Sequence, residues 1–319
     1  MGSEGLARRF LHVNLNCESL DATEGLYVEQ LGLTARMRTD PKVPTDGSIL
    51  GIQGGETFCE TSFLYDSRGG RAGCALEAIE FHKPPLKTDP NDDPTRPGIR
   101  STLLTVADLD ATATALRDAG VTVTGPVAGL ISGSKSVLAR DPDGVIVELA
   151  EAPSDKPGAL FSGIRIAAID AAATGEFLTA IGFAQVEAPT QVEVAGDQLA
   201  PGGSSVPVKC TVLRYALAED AHQFNLTVVA HPGTRDADPV PWGGNHQGLY
   251  RCALRVESTE AAMSLVPDSV EVMGAPVWCP LPGTKIEGLY ISFLRSPDGV
   301  VFEFVERPLK HFGTPAGRG

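Results

Sequence analysis

The feature that most constrains this chain is that it repeats itself. A strand ending in Glu-x-x-Glu occurs as Glu77-Ala-Ile-Glu80, Glu148-Leu-Ala-Glu151 and Glu303-Phe-Val-Glu306, each followed within a few residues by Pro84, Pro153 or Pro308. A degenerate further copy, Thr227-Val-Val-Ala230-His231-Pro232, keeps the proline spacing. Two copies are preceded by the turns Asp141-Pro-Asp-Gly144 and Ser296-Pro-Asp-Gly299, hairpin chemistry ahead of strands rich in Val, Ile and Phe. Upstream of each copy an apolar strand leads into an amphipathic helix, at 10–16 and 20–33, 103–106 and 108–121, 164–169 and 171–183, and 252–256 and 258–265. Alternation of period two gives way there to a helical period, and Gly32, Gly120 and Gly182 stand where three of the helices end.

Units of the form βαβββ follow at about 8–84, 97–153, 158–232 and 246–308, an α+β chain. Their order predicts two tandem domains, 1–153 from the first pair and 158–308 from the second, with a tail at 309–319. A length of 319 residues suits two domains better than one. The stretches 87–97, 152–157 and 236–241 have loop compositions, and 188–208 reads as irregular.

Charge excludes some partners. Lys+Arg 26 against Asp+Glu 40 gives a net charge of −14, a field that repels phosphate backbones and anionic membranes, so neither nucleic acid nor membrane is expected. With no apolar leader and no apolar run long enough to span a bilayer, a cytoplasmic chain is expected. The six cysteines form no C-x-x-C pair and read as buried small hydrophobes in a reducing compartment, a catalytic thiol being the alternative. No glycine pattern here cradles a phosphate.

A first strand with an early His12, a helix ending Leu31-Gly-Leu33, then Asp-Pro-Asp-Gly and Val147-Glu-Leu149, is similar to the vicinal oxygen chelate (VOC) superfamily. That superfamily holds glyoxalase I, the fosfomycin and bleomycin resistance proteins, methylmalonyl-CoA epimerase and the extradiol dioxygenases. The resemblance implies paired units whose curved sheets form cups for a small molecule and a divalent metal. It places ligands at one position on the first strand and one on the last strand of each unit. Those positions fall on His12, Ser101, Ser162 or Gly163, and Arg251, and on Glu77, Glu148, Thr227 and Glu303.

The first domain therefore offers His12, Glu77 and Glu148 as metal ligands or as catalytic acid and base, with Ser101 in the place of a second histidine. One imidazole with two carboxylates is a workable set for a first-row divalent ion. The second domain offers Glu303 alone beside the permanent cation Arg251, so no metal is expected there and extradiol ring cleavage is disfavoured. Arg251 and Glu303 are read as a salt bridge, or Arg251 as an anchor for a ligand carboxylate or enolate, with Tyr250, His246, Trp242, Trp278 and Tyr290 around an organic ligand. Against the functional reading of His12 stands the bland one of a strand histidine satisfied by a neighbour. Glu148 sits in a strand apolar on both faces and is expected to point inward, Glu77 is left open between an inward carboxylate and a residue on a wet face, and Glu80, Glu151 and Glu306 are read as solvated.

Three functions fit these expectations. The first is a small-molecule isomerase, epimerase or lyase working by acid–base chemistry in the first-domain cup, assisted by a divalent metal. The second is a metal-free enzyme of the same fold acting on an aromatic or polycyclic metabolite, and the third is a sequestration protein resembling those of bleomycin resistance. With all units in one chain, a monomer is expected.

Overall fold

The computed structural model describes residues 5–39, 44–52, 54–88, 93–220, 223–281 and 287–312. Within the expected loop at 87–97, residues 89–92 lie outside the described residues, as does the tail beyond 312. Each unit runs strand, helix, three strands. The first comprises β1 (Arg9–Cys17), α1 (Leu20–Glu24), β2 (Thr34–Thr39), β3 (Glu56–Tyr65) and β4 (Ala75–Lys83). The second comprises β5 (Gly98–Val106), α2 (Leu109–Asp118), β6 (Val123–Ala128), β7 (Lys135–Arg140) and β8 (Ile146–Glu151). In the third are β9 (Leu160–Ala167), α3 (Ala171–Ala180), β10 (Ala184–Gln185), β11 (Pro207–Ala216) and β12 (Asn225–Ala230). The fourth holds β13 (Gly248–Val256), α4 (Thr259–Leu265), β14 (Glu271–Val272), β15 (Gly288–Arg295) and β16 (Val301–Glu306). The stretch expected to be irregular, 188–208, contains a further strand, Thr190–Ala195, paired with β11.

Local chemistry sets the helix boundaries. Ser19, Asp108, Asp170 and Ser258 stand extended at the N-caps and accept hydrogen bonds from first-turn backbone N–H groups. The Glu-x-x-Glu repeat adds a second acceptor: Glu80 Oε2 takes the N–H of Leu20, Glu151 Oε2 that of Leu109, and Glu306 Oε2 that of Thr259. These glutamates are therefore not merely solvated, because the free N–H groups and dipole of a helix start favour an anion. The third unit has Ala230 at this position, and there Asp170 accepts two N–H groups itself, from Ala172 and Ala173. Gly32, after the π-helical turn Gly25–Gln30 that continues α1, and Gly120 and Gly182, after α2 and α3, have φ of 76°, 83° and 116°, which strains any residue with a side chain.

The strands form two curled sheets, and their composition differs from the expected division. The ten-stranded sheet runs β14-β15-β16-β13-β1-β4-β3-β2, with the short strands Thr45–Asp46 on β3 and Val277–Pro280 on β15, joining the fourth unit to the first; the nine-stranded sheet runs β10-β11-β12-β9-β5-β8-β7-β6, with Thr190–Ala195 on β11, joining the third to the second. The α+β class and the units stand as expected, but neither cup is built from a consecutive pair starting at the N-terminus. Each unit exposes its first strand as an edge that must be paired, and connection length decides the partner. The short link 152–159 returns the chain beside β5, so β9 pairs antiparallel with it in the same sheet. The longer links 84–97 and 231–247 carry the chain across to the other sheet and back, leaving β1 and β13 to pair with each other.

The helix-bearing faces of both sheets share one core. Phe10 lies 4.4 Å from Phe224 and 5.6 Å from Phe183, and Phe161 and Phe302 extend the cluster. Buried carboxylates stitch the units across this core. Asp66 accepts from the N–H of Phe161 and Asp220 from that of Phe10, so the first and third units hold each other's opening strand. Asp143 accepts from the N–H of Glu18, and Asp298 from Ile169 N–H and Thr174 Oγ1, so the Pro-Asp-Gly turns also join units.

Candidate functional site

Strand register aligns the units residue by residue. His12 pairs with Ala75, Ser101 with Ile146, Gly163 with Asn225 and Arg251 with Val301, each two positions before the last-strand residue Glu77, Glu148, Thr227 or Glu303. Between Ser162 and Gly163, the register selects Gly163. These residues sit on the open faces of the sheets; Glu148 is buried as expected, and Glu77, which the sequence leaves open, is buried as well.

The topology then regroups them. His12, Glu77, Arg251 and Glu303 meet in the ten-stranded cup, whereas Glu148 and Ser101 stand in the nine-stranded cup. The expected set of His12, Glu77 and Glu148 does not exist as one site, because Glu148 belongs to a sheet that shares no strand with His12. Tyr250 and His246 stay with Arg251, their rings stacked at 5.8 Å, and the Tyr250 hydroxyl accepts from the N–H of Gly243.

In the ten-stranded cup the Arg251 guanidinium bridges two acids. Its Nη2 donates to Glu77 Oε2 at 2.8 Å and its Nε to Glu303 Oε2 at 2.9 Å. His12 Nε2 lies 3.4 Å from the same Glu77 oxygen and 3.8 Å from that of Glu303. The salt bridge expected between Arg251 and Glu303 is present, and it includes Glu77 as well. Burial acts to raise the Glu303 pKa, but the Arg251 charge, helped by His12, holds it below the ordinary value. Burial is likewise opposed at Arg251, whose proton is held by Glu77 and Glu303.

Around this quartet the wall is apolar: Phe63 meets the His12 ring edge-on at 5.4 Å, and Tyr250, Ile291 and Phe293 form a cluster with Leu50 and Trp242. Cys59 and Cys279 flank the acids, and burial, reinforced by Glu77 and Glu303 respectively, pushes their thiols up, which leaves them protonated and poor nucleophiles. On β1, His12 Nε2 and Asn14 Oδ1 are buried without a hydrogen-bond partner, polar atoms free to meet a ligand.

The donor set does not fit a divalent ion. A permanent cation already sits between the two carboxylates at hydrogen-bond distance, repelling a metal and competing for both acids. Among the described residues no group of three or more His, Cys, Asp or Glu is placed to hold a metal ion.

The nine-stranded cup resolves its acid differently. Glu148 Oε2 accepts from the N–H groups of Leu130 and Ile131, and Oε1 from that of Ser132 and from Ser136 Oγ. Thr227 accepts from Arg214, which also holds the Ile131 carbonyl. Ser101 accepts from Arg165 Nε at 3.1 Å. Sequence reasoning missed Arg165, Asn14 and the 130–132 backbone; the one visible signal was a lone arginine between Ile164 and Ile166.

Residues 9–149 match the sequence profile of the Glyoxalase/Bleomycin resistance protein/Dioxygenase superfamily. Among solved structures, glyoxalase I from Zea mays superposes with a TM-score of 0.68 at 17% identity, covering 96% of this chain and 94% of that one. A dioxygenase-like protein from Bacillus subtilis subsp. subtilis strain 168 superposes with a TM-score of 0.60 at 13% identity, covering 97% and 89%. At these identities the likeness is one of fold. No curated protein matches the sequence.

Proposed function

We propose that the ten-stranded cup is the active site of a small-molecule enzyme working by metal-independent acid–base chemistry, a reading supported by the match of residues 9–149 to the Glyoxalase/Bleomycin resistance protein/Dioxygenase superfamily profile. The observation that carries this is the Arg251 guanidinium, which bridges Glu77 and Glu303 between the register positions where the family resemblance puts metal ligands. His12 acts as the proton carrier: its Nε2 faces the cup 3.4 Å from Glu77, with no hydrogen bond to hold it. Glu77 and Glu303 lie beside the imidazole, and Arg251 holds the Glu303 carboxyl below its ordinary pKa in a buried setting. Asn14 Oδ1 supplies a fixed polar contact, and the apolar wall selects an organic substrate and excludes water. The reaction class is an isomerisation, epimerisation or elimination, in which a proton leaves one substrate atom for His12 Nε2 and is delivered to another atom, to the opposite face of the same atom, or to the departing group, respectively.

A second reading is a binding protein, favoured by the engagement of Arg251 with both acids, which ties up the charged groups of the cup. Turnover of any ligand found in a metabolite screen, lost in His12→Gln, supports the enzyme; a tightly held ligand released unchanged supports the binder.

Metal independence is tested by elemental analysis after exposure to manganese, nickel and zinc. Wild type is expected to retain no stoichiometric metal, and Arg251→His, which restores a second imidazole opposite His12, to gain it. A wild-type protein that holds stoichiometric metal and loses it in His12→Ala would overturn this assignment.

A further inference from the structure

The nine-stranded cup contains a buried cation that forms no ion pair among the described residues. Arg165 rises from the open face of β9, opposite Ser101 on β5 and Thr227 on β12, and is 2% exposed. Its Nε donates to Ser101 Oγ at 3.1 Å and its Nη1 to the Pro94 carbonyl at 3.3 Å, while Nη2 is buried without a partner. Glu148, which acts on Arg165 electrostatically, forms no ion pair with it and is engaged by the 130–132 backbone. Burial, reinforced by the charge of Arg100, lowers the Arg165 pKa to about 10. A guanidinium taken out of water with its fork unfilled is costly, and an anion is the group that relieves it.

Space for that anion begins at Pro94, although Arg165 itself does not line it. A cavity of about 610 Å³ is lined by Pro94, His231, Arg140, Val194, Leu199 and Val208. Pro94 is the residue whose carbonyl Arg165 holds, and His231 is close enough to feel its charge: burial, and then Arg165, lower the imidazole pKa. His231 Nδ1 accepts from the N–H of Gly233, so the neutral ring carries its proton on Nε2 as a donor at the cavity wall. Gly163, two residues before Arg165 on the same face, puts no side chain beside it.

We propose that this cavity binds a small organic oxyanion, a carboxylate or phosphate monoester with an apolar body. Its oxygens replace the long Pro94 contact and meet Arg165 Nη1 and Nη2 together, the planar fork that matches either group. His231 Nε2 supplies a further donor, and Val194, Leu199 and Val208 take the apolar body. The volume is that of an ordinary small-ligand site. The proposal is independent of the chemistry assigned to the other cup.

The test is calorimetric titration of the full chain with benzoate and with phenyl phosphate, at constant ionic strength. At least one is expected to bind, about tenfold or more weakly in Arg165→Gln and unchanged in His12→Gln; which of the two binds identifies the headgroup. Arg165→Gln removes an unpaired buried charge, so it is expected to melt no lower than wild type. If it fails to fold, His231→Ala gives the second reading, with several-fold weaker binding. Failure of both probes to bind wild type, or equal binding by the folded variants, would overturn the proposal.

Discussion

In the ten-stranded cup two last-strand glutamates share one guanidinium, whereas in the nine-stranded cup the equivalent glutamate is held by backbone N–H groups and the guanidinium nearby forms no ion pair among the described residues. Both cups are made of the same unit in the same register. The difference teaches that a position inherited by repetition fixes where a side chain points, not what neutralises it. In one cup a residue from the opposing unit crosses to the acid; in the other a loop of the same unit folds down on it.

The contrast predicts unequal costs. Arg251→Met leaves Glu77 and Glu303 buried and uncompensated, and is expected to destabilise the protein by about 3–5 kcal/mol in urea unfolding. Adding Glu77→Gln and Glu303→Gln should recover much of that loss, and a triple variant no more stable than the single one would show that the acids do not depend on Arg251. Glu148→Ala is expected to cost about 2–3 kcal/mol, because the orphaned N–H groups of Leu130, Ile131 and Ser132 can regain water as the loop opens. Hydrogen exchange should then speed up at those amides and leave the ten-stranded cup unchanged; uniform acceleration would mean that the two acids play one common role.

The smallest effect is one of pH. Burial, with Asp143 adding to it, raises the Asp141 pKa to about 7, and burial raises that of Asp220 to about 7. The native state therefore keeps these protons where the unfolded chain has released them. Their stabilising contribution is complete below the unfolded pKa near 3.8 and is lost as pH rises through about 7. Between pH 6 and 8 this amounts to about 1.4 kcal/mol per group. Glu303 has the opposite sign: its lowered pKa contributes stability above the ordinary carboxylate value, lost as pH falls through its folded pKa. Unfolding at pH 6, 7 and 8 should show the decline in wild type and a shallower one in Asp141→Asn, and parallel slopes would remove Asp141 as a cause.

Much of this was legible in the sequence, for physical reasons that also mark where legibility stopped. The repeated glutamates, caps and glycines are local signals, and they placed the units, the helices and the inward Glu148 carboxylate. The partner of each first strand is set by link length and by long-range pairing, on which alternation within a strand says nothing. That is why His12 was grouped with Glu148 rather than with Arg251 and Glu303. Glu80, Glu151 and Glu306 sit near strand ends where exposure is the simplest expectation, yet the adjacent helix start of the same unit claims them. Arg165 was hidden because a single cation among isoleucines looks like any edge residue until its strand is seen between two others.

One consequence follows from the way the sheets draw on both halves of the chain. Each cup takes one unit from before the link 152–159 and one from after it. Were the gene divided at that link, the products would not be two self-sufficient proteins, one per cup. They would be unlike subunits of a heterodimer, each carrying half of both pockets, with His12 and Glu77 on one polypeptide and Arg251 and Glu303 on the other. In that sense both pockets are subunit interfaces that a single stretch of backbone has made permanent.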